Sequence, residues 1–170
     1  MPDTVCRRPI DHLECLSMSS SSPVAKLRYA DLLDAFEFVS AGGSMDNNAY
    51  VDCDTGAIHF VSSEISLDEE IPPDLESSDR YLAVPNKYDL DLGRRLALSF
   101  IAREVPNDYD TVAAFFRKKG AYARFKNFLE TRELLQRWYD FEALRTEEAL
   151  REWCREKGIA IIDEMSPTRK

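Results

Sequence analysis

Apolar side chains follow two spacings along this chain. Tyr29, Leu32, Leu33, Phe36 and Val39 recur every third or fourth residue, the mark of a helix with one buried stripe, and Gly42 and Gly43 close it. Ser22 and Pro23 supply an N-cap and a first helical residue for that helix. The period then changes to two, predicting strands at about 49–53 and 57–62 and a third in "RYLAV" at about 80–84. Helical spacing returns with Leu92, Leu96 and Phe100, predicting a helix over about 88–104 that "VPND" stops. Val112, Phe115 and Phe116 mark the next, with Gly120 as its closing glycine. Tyr122, Phe125, Phe128 and Leu129 define another, and Leu134, Trp138 and Phe141 one more. Thr146 is expected to cap a separate helix through Trp153 to Lys157, ended by Gly158, and "IAII" at 159–162 to return as an edge strand.

These elements predict an α+β fold. An N-terminal helix precedes a small antiparallel sheet of three to four strands containing a β-hairpin, and a layer of four to five helices covers the apolar face. One domain is expected over residues 25–163, between a disordered N-terminal tail at 1–24, which holds the run "SMSSSS", and a flexible C-terminal tail at 164–170. With 170 residues, 44% of them apolar, the chain can bury a proper core.

Acids outnumber bases 31 to 22, for a net charge of −9, so a phosphate backbone or an anionic membrane is a poor default partner for the whole molecule. The acidity is local: residues 46–79 hold ten acids and no Lys or Arg. If that stretch, with Asp68, Glu69 and Glu70, binds anything, a basic protein surface is the physical match. The two adjacent prolines, Pro72 and Pro73, and the lack of glycine in the loop at 62–79 argue against a calcium loop around those acids. Cys6, Cys15, Cys53 and Cys154 form no CxxC pair, and His12 and His59 lie far from a second pair of ligands. A closed zinc site is therefore not expected, nor any other metal or cofactor. Isolated thiols without a secretory signal, and no apolar run of about 20 residues, place the chain in the cytoplasm and away from membranes.

Three stretches invite a chemical reading. Asp52, Cys53, Asp54 and Thr55 match the DxDxT box in which the first aspartate of a phosphatase is nucleophile and the second general acid, a role that needs parallel strands and further magnesium ligands. A hairpin explains them with less. Asp54, Thr55 and Gly56 form a three-residue loop in which the glycine takes positive φ and Asp54 bonds its own backbone. That register pairs Asp52 with Ile58 and Val51 with His59, sets Asp52 and His59 on opposite faces, and points both aspartates into solvent.

The second stretch, "FFRKKGAYARFKNF" at 115–128, interleaves Arg117, Lys118, Lys119, Arg124 and Lys126 with five aromatics, a pattern suited to single-stranded nucleic acid. Helical geometry weakens it, since Arg124 and Lys126 stand about 160° apart while Tyr122, Phe125, Phe128 and Leu129 share roughly 120° of the circumference as core residues do. Asp140 or Glu142 on the following helix would then pair with Arg124. The third signal is single residues: His59 and Cys154 both read as packed side chains. Should a pocket gather polar groups, Tyr81, Arg94, Arg95 and Asp140 are the first to inspect.

The strings "LLDAFEFVS", "YVDCDTGAIHFVSSE", "SDRYLAVPNKYDLDLGRRLALSF", "GAYARFKNFLE" and "WYDFEALRTEEALREWCREKGI" together resemble the bacterial uncharacterised protein family number 0158, over about residues 26–163. The resemblance implies a bacterial, cytoplasmic, single-domain protein and brings no catalytic residues with it. The expected function is a non-catalytic binding or regulatory module with an unknown, basic protein partner. A metal-dependent phosphatase or nuclease using Asp52 and Asp54, and a nucleic-acid binder using the basic 117–126 segment, are the alternatives.

Overall fold

A computed structural model describes residues 25–41, 47–62 and 72–163. Both tails, the proposed cap at Ser22 and Pro23, and Asp68 to Glu70 lie outside the described residues. The expected α+β architecture is present, as a three-stranded antiparallel sheet and a separate parallel strand pair packed with five helices.

The chain opens with β1 (Lys26–Arg28), not with helix. Leu27 is buried between exposed Lys26 and Arg28, the alternation a strand imposes. β1 pairs in parallel with β5 (Ala160–Ile162), Leu27 opposite Ile161, so "IAII" is a strand but joins the far end of the domain to its start rather than extending the antiparallel sheet. Helix α1 (Tyr29–Ala41) follows without a loop and buries Leu32, Ala35 and Phe36. Its first turn carries Asp31, which accepts bonds of 2.7 and 2.6 Å from Arg28 and suits the positive end of the helix.

The antiparallel sheet has the order β3-β2-β4, with β2 (Asn48–Asp52) at its centre between β3 (Ile58–Val61) and β4 (Tyr81–Ala83). Val51 pairs with Ile58 and Tyr50 with His59. The register is thus one residue away from the sequence expectation, because Cys53 belongs to the turn: the Asp52 amide donates to the Ala57 carbonyl at 2.9 Å, enclosing four residues. A one-residue slip exchanges faces. Asp52 and His59 consequently share a face, and Ala49 and Val51 turn inward onto the core.

The expected helix at 88–104 starts later, as α2 (Arg94–Glu104). Asp91 sits at φ 56°, which a helix does not admit, and residues 86–91 are instead turns tied by the Asn86 side chain, which accepts from the Tyr88 amide at 2.8 Å. After a 3-10 turn at Pro106–Asp108 come α3 (Tyr109–Phe115) and α4 (Ala121–Thr131). Gly120 is the left-handed residue that opens α4, not the cap of α3. α5 (Leu135–Lys157) is one helix where two were expected. Thr146 is buried in its interior, no Gly or Pro interrupts it, and Arg145 with Glu148 and Glu147 with Arg151 pair along its surface. Gly158, left-handed at φ 70°, ends it as expected.

The centre of the core is aromatic. Trp138 stacks edge-on against Phe100 at 5.4 Å and Phe125 at 5.0 Å, joining α2, α4 and α5. Among the described residues no helix is long and apolar enough to cross a membrane.

Candidate functional site

The hairpin turn contains Asp52, the first sequence candidate. Its carboxylate is 4% exposed, contrary to the outward-facing expectation, and is occupied on both oxygens. Arg80 donates to it at 3.0 and 2.6 Å, and the amides of Asp54 and Thr55 donate at 2.8 and 3.4 Å. It is therefore Asp52, not Asp54, that bonds the turn backbone. The Arg80 guanidinium, aided by those amides and opposed by burial, holds the Asp52 carboxyl well below the usual carboxylate range. Asp54 remains exposed with an oxygen 3.2 Å from Arg80. A guanidinium thus bridges the two carboxylates, and the strands here are antiparallel, not the parallel strands a DxDxT phosphatase needs.

The basic segment is dispersed. Arg124 reaches neither Asp140 nor Glu142; its guanidinium donates to the carbonyls of Phe115, Lys118 and Lys119 at 3.2, 3.0 and 2.7 Å, satisfying the frayed end of α3. Lys126 lies over the Tyr139 ring at 5.4 Å. Asp140 accepts from Gln136 at 2.9 Å. Arg117, Lys118 and Lys119 are left on the surface. Of the residues marked for inspection, Tyr81 packs against His59 on the sheet, Arg95 pairs with Asp91, and Arg94 is exposed at the start of α2, so they do not converge. Cys154 is buried and its thiol is pushed up to about 11 by burial. No group of three or more His, Cys, Asp or Glu able to hold a metal ion occurs among the described residues.

The place where polar and apolar side chains do converge is a groove between α1 and α5, about 640 Å³ in volume. The two helices run in opposite senses along it. Tyr29 at the start of α1 lies under Arg151 of α5 at 5.1 Å, while Ser40 near the end of α1 accepts a bond from the Lys87 amide at 3.0 Å, beside Glu142 in the first half of α5. Leu33, Phe36 and Leu92 form the floor, and Ala143 and Leu144 the α5 wall. Leu144 is 52% and Tyr139 39% exposed, large apolar surface left at the mouth rather than in the core.

Carboxylates edge both walls. Glu37 projects from α1, a helix with three acids and no base, and carries no ion pair among the described residues. Glu147 pairs with Arg151 at 2.9 Å. Glu142 is raised above the ordinary carboxylate value by burial, which the nearby Lys126, a bond from Trp138 and Lys87 only partly offset. Tyr29 is raised as well, by burial and by Glu147. Behind Glu142 the Tyr122 hydroxyl is buried with no partner among the described residues, its pKa pushed up to about 12 by burial, Tyr88 and Glu142. Sequence reasoning missed this groove. The signal for it was Tyr139, Ala143 and Glu147, which fall on one stripe four residues apart only if α5 is read as a single helix.

Together these features describe a small α+β protein with an open, acid-edged apolar groove. The chain belongs to the Uncharacterised protein family (UPF0158), whose sequence model matches residues 22–168, which makes the resemblance noted above a membership. It is similar to UPF0158 protein PA5073 of Pseudomonas aeruginosa, at 28% identity over 121 residues, covering 70% of this chain and 78% of that protein. No solved structure matches it.

Proposed function

We propose that the protein is a non-catalytic, cytoplasmic binding module of bacteria whose α1–α5 groove receives a segment of a protein partner. The observation that carries this reading is the exposure of Leu144 and Tyr139 at the mouth of an apolar groove of about 640 Å³. Cavities of roughly 300–1,000 Å³ are where ligand side chains are buried, and exposed large apolar groups beside one extend the contact surface. Asp52 and Asp54, by contrast, are consumed by Arg80 and serve the turn.

A photo-crosslinking residue at position 144 tests the proposal in cells. It is expected to trap a defined protein, while the same residue at exposed position 156, on the last turn of α5, does not. No adduct specific to position 144 contradicts the reading.

A second reading rests on Arg117, Lys118 and Lys119, exposed bases on a loop whose carbonyls Arg124 pins from within. A rigid basic loop would meet phosphates, and single-stranded nucleic acid is the ligand. Reversing all three charges should then abolish binding, and the affinity should fall steeply with salt.

A further inference from the structure

We infer that the occupant of the α1–α5 groove is a basic amphipathic helix, its apolar face on Leu33, Phe36 and Leu144 and its Lys or Arg side chains against Glu37 and the other wall carboxylates. This rests on the groove reading and specifies the chemistry of the partner.

Charge selects the sign. α1 presents Glu37 to the groove and has no base of its own, and α5 adds Glu142 and Glu147 along the opposite wall. The nearby cations leave one acid unmatched: Arg151 pairs with Glu147 and Asp163, Lys126 and Lys87 only partly offset Glu142, and Glu37 has no ion pair among the described residues. An acidic segment would meet carboxylates on both walls, and a neutral one would leave Glu37 unmatched as the groove loses water. A basic side chain reaching Glu37 replaces that lost hydration with a charge-assisted bond.

Shape selects the helix. The groove is a trough between two helices running in opposite senses, and a third laid along it presents apolar residues at i, i+3, i+4 and i+7 to the floor. An extended strand needs an open sheet edge to bond with, and both walls here are helical, with their backbone groups already satisfied internally. Lys87 lines the end of the groove where its amide bonds Ser40, and its positive charge there disfavours a cation and favours the carbonyl end of the bound helix, to which its ammonium can donate.

Fluorescence anisotropy with labelled synthetic peptides tests this on the full chain. The probe is an amphipathic helix with Leu at i, i+3 and i+7 and Arg on its flanks. Comparators are a scrambled peptide of identical composition, which keeps the charge and loses the stripe, and a version with Glu for Arg. The amphipathic basic peptide should bind saturably, the scrambled one at least about tenfold more weakly, and the acidic one not at all. Glu37→Lys and Leu144→Asp should each weaken binding about tenfold, whereas Asp74→Lys, on the acidic stretch away from the groove, should not. Both groove positions are solvent-exposed, so these variants fold. Equal binding of the scrambled peptide, or equal loss in Asp74→Lys, would show simple attraction to an acidic protein and overturn the inference. A position-144 adduct to a segment without basic amphipathic character overturns it too, while leaving the groove reading standing; absence of any such adduct removes both.

Discussion

Asp52 and Glu142 show opposite ways in which this fold treats a carboxylate. Asp52 is stabilised as the anion, by Arg80 first and by turn amides after it. Its folded pKa lies below its unfolded one, so its contribution is complete above pH ~4 and is lost as pH falls from there toward the folded value. Asp52→Asn should cost about 2 kcal/mol at neutral pH in urea unfolding, and the difference from the parent should shrink as the solution is acidified below pH ~4. Glu142 is the reverse case, raised by burial. Below its unfolded pKa of ~4.3 the neutral acid sits in place without penalty, and as pH rises from there through the folded value that advantage is lost. Glu142→Gln keeps an acceptor for Trp138 and should be more stable than the parent at pH 7, by no more than about 1 kcal/mol, and indistinguishable near pH 4. Neither role was legible in the sequence. The chemical identity of Asp52 pointed to a turn or a catalyst, and only the register, which a single residue in the loop decides, put it beside Arg80. Glu142 reads as one charged residue among many until α5 is folded against its neighbours.

At the scale of elements, the turn after β2 is locked to β1 by a glycine. A Cβ on Gly56 would lie 2.2 Å from the Lys26 carbonyl oxygen, and its φ of 78° already favours glycine. Gly56→Ala should therefore destabilise the protein by about 3 kcal/mol or more and disturb both the hairpin and the β1–β5 pair, measurable as lost hydrogen-exchange protection at Leu27 and Ile161. Arg124 closes the α3–α4 connection in a comparable way. Arg124→Ala strips three carbonyls of their donor and should cost about 1–2 kcal/mol in thermal or urea unfolding, without a change in the acid limb of the stability curve. The elements themselves were largely readable, because Phe36, Phe100, Phe125 and Trp138 each belong to an apolar stripe at helical spacing and all four are buried. The misreadings were of boundaries and partners. Thr146 has the chemistry of a cap but lies within α5, and no local feature of Lys26–Arg28 announces a partner more than a hundred residues away.

The whole molecule is an asymmetric object: a tightly packed aromatic centre, a hairpin turn held by an ion pair, and one face where α1 and α5 leave an apolar trough open. The charge imbalance between residues 46–79 and the rest was visible in the sequence, but the trough was not, since its walls come from segments a hundred residues apart and its floor from Leu33, Phe36 and Leu92, which read as ordinary core positions. The functional account turns on that trough. The most direct measurement is hydrogen exchange of the full chain with and without the protein trapped from position 144, purified and added back. Protection confined to residues 29–40 of α1, the 87–92 turn and residues 139–147 of α5 is the predicted footprint; protection centred on 115–126 or on the 52–56 turn, with α1 and α5 unchanged, would contradict it.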